Sequence, residues 1–148
     1  MKPLNAKDIK RLNEALSEQF GIKEPIKGVF FDGAKDKVYW STKEIERVPL
    51  DKMHVDTIGM YFGTWMKDGL RLSIDGSQKI ARITTKGTLE LTREDWESWL
   101  KGQDIDTELP EAYYLVIYEG DCYGCAKASK GKLLNYVPKA RRLSVINA

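Results

Sequence analysis

One histidine and two cysteines are all this 148-residue chain offers of the residue types that most often carry nucleophilic or metal chemistry. No G-x-S-x-G, no H-E-x-x-H, no glycine-rich phosphate loop and no dinucleotide fingerprint occurs, so nothing frames a nucleophile or a cofactor phosphate in the usual ways. The lone His54 sits in a polar segment, Asp51-Lys52-Met53-His54, and reads as a surface residue. The paired carboxylates Glu94/Asp95 and Asp104/Asp106 read as a solvated helix start and a loop. No apolar run reaches the roughly 18 residues of a membrane helix, and the first sixteen residues carry no apolar signal core. The expectation is a soluble, cytoplasmic, non-catalytic protein without cofactor or metal. Repeats, low-complexity stretches and a Pro/Gly/Ser linker are also lacking. Any two units in this length should therefore pack tightly.

Cys122 and Cys125 form the one C-x-x-C. It is expected in a hairpin between two strand-like runs. A redox dithiol needs its first cysteine at a helix N-terminus, where the dipole lowers its pKa. A zinc site needs two more ligands. A structural or incidental pair is favoured, with a metal shared across a dimer and a redox pair as alternatives.

Charge is nearly balanced over the whole, at +2, but not locally. Beyond Asp121 there is no acid, and Lys127, Lys130, Lys132, Lys139, Arg141 and Arg142 interleave with Tyr123 and Tyr136. Basic residues on strands with aromatics between them suit a polyanion, most simply RNA; a solvated basic face is the alternative. Glu90 to Asp121 holds ten acids against Arg93 and Lys101, a face that should repel RNA or meet a basic protein.

Hydrophobic spacing at Ile9, Leu12, Leu16 and Phe20 predicts a helix over 5–19, capped by Asn5, stapled by Leu4 onto Ile9 and stopped by Gly21. Strands are expected over 28–33 and 37–41, and a short helix from the Ser41/Glu44 capping box through Val48, ended by Pro49. A hairpin is expected over 59–74 with a loop of about four residues, 66–69, followed by a short helix. Residues 82–92 read as extended with a turn at Lys86-Gly87. A helix from Arg93 to Gly102 should carry Trp96, Trp99 and Leu100 on one face. A buried strand over 112–120, a strand near 133–137 and a last, alternating strand over 141–146 complete the reading. The fold class is α+β: a small N-terminal α/β unit, residues 1–81, packed on a C-terminal barrel-like unit, residues 82–148, with one inserted helix.

The segment GDCYGCAKASKGKLLNYVPKARRLSVI resembles the end of a PUA domain, an RNA-binding module, and most closely the PUA-like domain that ends rRNA cytosine methyltransferases of the Sun/Fmu type. The matching positions are Leu115 to Tyr118, Glu119-Gly120, Gly124, Lys127, Gly131, Asn135, Pro138-Lys139 and Arg142. The helix from Arg93 falls where a PUA domain carries its inserted helix. Ala126 stands where that pattern has a second glycine, and no S-adenosylmethionine-binding domain is present, so methyl transfer is not carried over. The N-terminal half is similar to a second group, the nuclear-import-protein-seven family of large-ribosomal-subunit biogenesis, through Met1-Lys2-Pro3-Leu4, Val38-Tyr39, Gly59 to Gly63 and Arg71-Leu72. Together these resemblances imply a pre-PUA domain followed by a PUA pseudo-barrel that binds RNA, an rRNA precursor or tRNA, in rRNA processing or ribosome biogenesis.

On that basis Lys127, Lys132, Lys139, Arg141 and Arg142 are expected on phosphates, with Arg82 and Lys86 extending the track, Asn135 on a base edge and Tyr136 stacking a base. The alternative is a protein-docking adaptor in an RNA-processing complex. It would be favoured if the aromatics Phe30, Phe31, Tyr39, Trp40, Tyr61, Phe62 and Trp65 formed an exposed patch.

Overall fold

The computed structural model describes residues 2–44 and 59–143. The expected helix ending at Pro49, His54, and the last strand beyond Leu143 lie largely or wholly outside the described residues.

The first helix, α1 (Ala6–Phe20), begins where Asn5 accepts a hydrogen bond from the Asp8 amide at 2.8 Å. It ends at Gly21, whose left-handed φ of 67° lets its amide reach back into the last turn. Leu12, Leu16 and Phe20 are buried; Ile9 is 42% exposed and flanks the apolar stripe rather than joining it.

Strands β1 (Lys2–Pro3), β2 (Val29–Asp32), β3 (Lys37–Ser41), β4 (Met60–Met66) and β5 (Gly69–Leu72) form an antiparallel sheet in chain order. The loop between β4 and β5 has two residues, Lys67 and Asp68, because Met66 already pairs with Gly69; the expected four-residue loop counted those two paired ends. The open edge of β5 is closed by Gln19 of α1. Its side chain accepts from the Leu70 amide at 2.8 Å and donates to the Leu70 carbonyl at 2.9 Å, which removes a free strand edge.

Helix α2 (Ile74–Ile80) is capped by Ser73, which accepts from the Gly76 amide at 2.9 Å. At Gly76 a Cβ would collide with the Phe62 carbonyl, so the glycine lets α2 lie directly on β4. On its other side Gln78 donates to the Cys122 carbonyl at 3.1 Å, tying α2 to the second sheet.

The second sheet contains β6 (Thr88–Glu90), β7 (Ile105–Asp106), β8 (Ala112–Tyr118), β9 (Asp121–Ser129) and β10 (Lys132–Leu134), in the order β6-β8-β9-β10-β7, with β6 parallel to β8. It curls into a half-barrel. Helix α3 (Arg93–Leu100) is inserted between β6 and β7, with Thr92 as its cap. Trp99 is fully buried, and its indole N–H donates to the Tyr123 carbonyl at 2.9 Å. One core runs from α1 and the first sheet into Tyr113, Leu115, Cys122 and Cys125 of the second; another gathers Trp96, Trp99, Val116 and Leu133. The architecture is α+β, as expected.

Three local expectations are corrected. Residues 82–87 are not strand. Thr85 and Lys86 instead donate backbone bonds to the Phe20 carbonyl, at 2.9 and 3.4 Å, and the Thr85 hydroxyl bonds the Gly21 carbonyl at 2.9 Å, so the segment closes the end of α1. The cysteines lie inside β9, not in a hairpin loop. Arg141, expected to start the last strand, ends a 3-10 turn over Lys139–Arg141. The chain then reaches back to α3, where the Leu143 amide donates to the Leu100 carbonyl at 2.8 Å.

Candidate nucleic-acid interface

Positions along β9 explain the two cysteines. Leu115 faces Cys125 and Ile117 faces Cys122, so two steps on β8 match three on β9, a bulge with Gly124 at φ 118°. The extra residue brings both thiols into the same core cluster. Both are free and buried. Burial raises the Cys122 thiol and pushes Cys125 up to about 12, the reverse of what a nucleophilic or redox cysteine requires. Both thiols pack in that core.

The basic residues nearby have different surroundings. Lys127 of β9 forms an ion pair with Asp68 in the β4–β5 turn, and Asp68 also accepts from the Tyr113 hydroxyl at 2.7 Å. The ammonium, then the phenol, hold the Asp68 carboxyl below its ordinary range, and the carboxylate raises Lys127. Tyr113 is raised, first by burial and then by its bond to Asp68. This triad fastens the two sheets together. Lys132 pairs with Asp106 across β10 and β7, both in solvent.

Asn135 is committed inside the protein. Its Nδ2 donates to the Trp99 carbonyl at 2.8 Å and the Gln103 carbonyl at 3.1 Å, and its Oδ1 accepts from the Val137 amide at 2.8 Å. Arg142 donates through Nε to the Val137 carbonyl at 2.9 Å and lies over Gly102, where a Cβ would strike the guanidinium. Arg82 borders a shallow depression with Gln78, Gly120 and Asp121, and Lys86 lies beside Gly21 at the end of α1. Neither joins Tyr136 and Arg141 in lining one cavity. Lys139 is exposed on the 3-10 turn.

Tyr136 and Arg141 share one cleft, of about 360 Å³, between the two sheets. Its other wall supplies Lys37 of β3, Tyr61 and Thr64 of β4, and Arg71 of β5. The Arg71 guanidinium lies 4.4 Å from the centre of the Tyr136 ring, and the Lys37 ammonium 5.3 Å from that of Tyr61. Asp75 is the single carboxylate in the lining, 3.8 Å from Arg141. Three cations against one anion leave the cleft electropositive. The reading of the sequence missed Lys37, Tyr61 and Arg71. Arg71 shows only as the polar member of the alternating Leu70-Arg71-Leu72, which says that it points away from the core but not what it faces.

The remaining aromatics do not form an exposed patch. Phe30, Phe31, Tyr39 and Phe62 are buried. Trp40 lies under the Lys79 ammonium at 3.3 Å, and Trp65 under the Arg11 guanidinium at 3.8 Å. Among the described residues the exposed large hydrophobics are Ile9, Ile83 and Leu143. No helix among them is long and apolar enough to cross a membrane.

Residues 86–143 match the family model described as the methyltransferase RsmF PUA domain. Over 138 residues the chain is 28% identical to the ribosomal RNA small subunit methyltransferase F of Shewanella piezotolerans (strain WP3 / JCM 13877), covering 91% of this chain and 28% of that protein. A second relative with the same name, from Aeromonas salmonicida (strain A449), is 24% identical over 139 residues, covering 93% of this chain and 28% of its own. The chain spans little more than a quarter of the length of these curated relatives. Each match exceeds the 86–143 segment and so reaches into the first sheet as well. The curled second sheet with α3 spans most of the segment that matches this model, and its architecture is that of a PUA-type pseudo-barrel.

Proposed function

We propose that this PUA-type unit binds RNA, and that the chain serves rRNA processing or ribosome biogenesis, acting on an rRNA precursor or another structured RNA such as tRNA without catalysing a reaction itself. The observation that carries the reading is a run of exposed cations on a PUA-type scaffold. Lys130, Lys132, Lys139, Arg141 and Arg142 are all exposed in the stretch of chain after Asp121, which contains no acid, and the relatives that share this region are named for ribosomal RNA. On the same reading residues 1–81 are a pre-PUA unit and 82–148 the RNA-binding unit, acting in the cytoplasm. Buried cysteines with raised pKa values speak against a thiol-based activity, and the covered aromatics speak against a docking platform built on them.

Binding of this kind is mostly phosphate contact and so depends on salt. About four contacts on a single strand give a slope of log K against log salt near −3, at roughly −0.7 per contact. Fluorescence anisotropy of labelled single-stranded and hairpin RNAs over a salt series tests this. Lys132→Ala/Lys139→Ala/Arg141→Ala is the comparison, leaving Arg142 in its bond to the Val137 carbonyl. Salt-sensitive binding that collapses in the triple variant supports the reading. An absence of binding at low salt overturns it.

A further inference from the structure

We infer that the cleft between the two sheets is a nucleotide subsite: it takes one unstacked nucleoside phosphate, its base beside Tyr136 and Tyr61 and its phosphate among Arg71, Arg141 and Lys37. The inference rests on the RNA-binding reading and adds residues of the first sheet to it. At about 360 Å³ the cleft falls within the roughly 300–1,000 Å³ of small-ligand sites. Its lining joins the two things a nucleotide needs, flat π faces for the base and cations for the phosphate. The Arg71 guanidinium lies over the Tyr136 ring at 4.4 Å, so a cation and a π face already adjoin in the lining. Arg71 belongs to β5, whereas Tyr136 follows β10 and Arg141 ends the 3-10 turn. Neither sheet alone supplies the set, so the subsite exists only when the two are packed together. The walls are held independently of any ligand. Asn135 fixes the chain next to Tyr136 through three hydrogen bonds, and the Lys127–Asp68–Tyr113 triad locks the β4–β5 turn to β8 and β9.

A planar base has the same stacking options whether it belongs to a strand or to a free mononucleotide. A strand adds flanking phosphates that the exposed Lys132 and Lys139 can meet. The experiment titrates wild type, Tyr136→Leu and Arg71→Gln with a labelled single-stranded RNA over a salt series, after thermal melts of each. It adds a wild-type titration with uridine and adenosine monophosphates read by NMR of the Arg71 Nε and Tyr136 ring signals, two groups of the cleft lining. Under the inference Tyr136→Leu weakens RNA binding about 5- to 150-fold, the range of one stacked base, and leaves the salt slope unchanged. Arg71→Gln weakens binding and reduces the slope by about 0.7. Saturation by monophosphates places the free nucleotide among the ligands, and saturation by RNA alone assigns the cleft to a strand. If either variant melts early, side-chain NMR of the wild type with RNA replaces it: the Arg71 Nε and Tyr136 ring signals must shift. RNA binding that ignores both substitutions, or that leaves those signals unmoved, overturns the subsite while the RNA-binding reading stands. A wild type that binds no RNA overturns both.

Discussion

In the first sheet β1 to β5 lie in chain order and every neighbour is antiparallel, whereas the second runs β6-β8-β9-β10-β7 and contains a parallel pair. The two also dispose of their cations differently. Arg11, Lys37, Lys79 and Arg71 lie over the aromatic rings of Trp65, Tyr61, Trp40 and Tyr136. Lys127 and Lys132 of the second sheet face carboxylates; on the 3-10 turn that follows it Lys139 is exposed and Arg141 lies 3.8 Å from Asp75. A chain near neutrality thus presents one region in which charge is folded onto π surface and one in which it reaches solvent. The cleft is lined from both.

The contrast is broken most directly through the cores. Trp99→Ala and Phe62→Ala, one in each cluster, should each cost about 3–5 kcal/mol in urea unfolding. Because one cluster crosses from the first sheet to Tyr113, Leu115 and the cysteines, both variants should shift a single transition. Two separate transitions would show that the sheets are independent. Gly76→Ala, which drives a Cβ into the Phe62 carbonyl, should lose about 1–3 kcal/mol by lifting α2 from β4. Asn135→Ala should also lose about 1–3 kcal/mol, since it strips partners from the Trp99 and Gln103 carbonyls and the Val137 amide. Its stability loss should exceed any loss in RNA affinity at a temperature where it stays folded.

Alkaline titration sharpens the difference further. Cys125 binds its proton up to about 12 when folded against 9.0 in its ordinary state. The native state therefore holds more protons between those values, and this contribution is complete below pH 9 and lost as pH rises through the window. Denaturation at pH 8 and pH 10.5 should show wild type losing more than a Cys122→Ala/Cys125→Ala variant. The smallest effect belongs to Asp68→Asn. With its carboxylate 43% exposed, the pair with Lys127 is screened by solvent and adds little to stability. Its folded pKa is lowered, so its contribution is present above the ordinary carboxylate range and fades as pH falls through the lowered value. An acid titration in which Asp68→Asn runs parallel to wild type would remove this tie between the sheets.

Much of the first sheet was legible in the sequence because its pairings are local. Val29–Asp32 with Lys37–Ser41, and Met60–Met66 with Gly69–Leu72, are hairpins whose strands and turns lie side by side in the chain. Helix α1 announced itself through Asn5, Gly21 and the Leu12, Leu16, Phe20 spacing, and α3 through Trp96 and Trp99. The second sheet was harder. A parallel β6–β8 pair across an inserted helix and a closing β7–β10 pair are long-range choices that no local pattern encodes. The 82–92 segment looked extended throughout, yet its first half serves α1. The cysteine spacing was plain, but only the bulge facing Leu115 and Ile117 put both thiols in the core.

By itself the sequence determined the helix caps, the hairpins, the α+β class and the concentration of positive charge after Asp121, all of which rest on residues within a few positions of one another. The tertiary structure decided which of those charges are available. It spent Lys127 on Asp68 and Asn135 on backbone carbonyls, and it brought Arg71 and Lys37 from the first sheet to face Tyr136 and Arg141. The physical reason is separation: Arg71 and Tyr136 meet across a sheet junction at 4.4 Å, and a contact between residues so distant in the chain is set by how two cores pack, which local propensity does not carry.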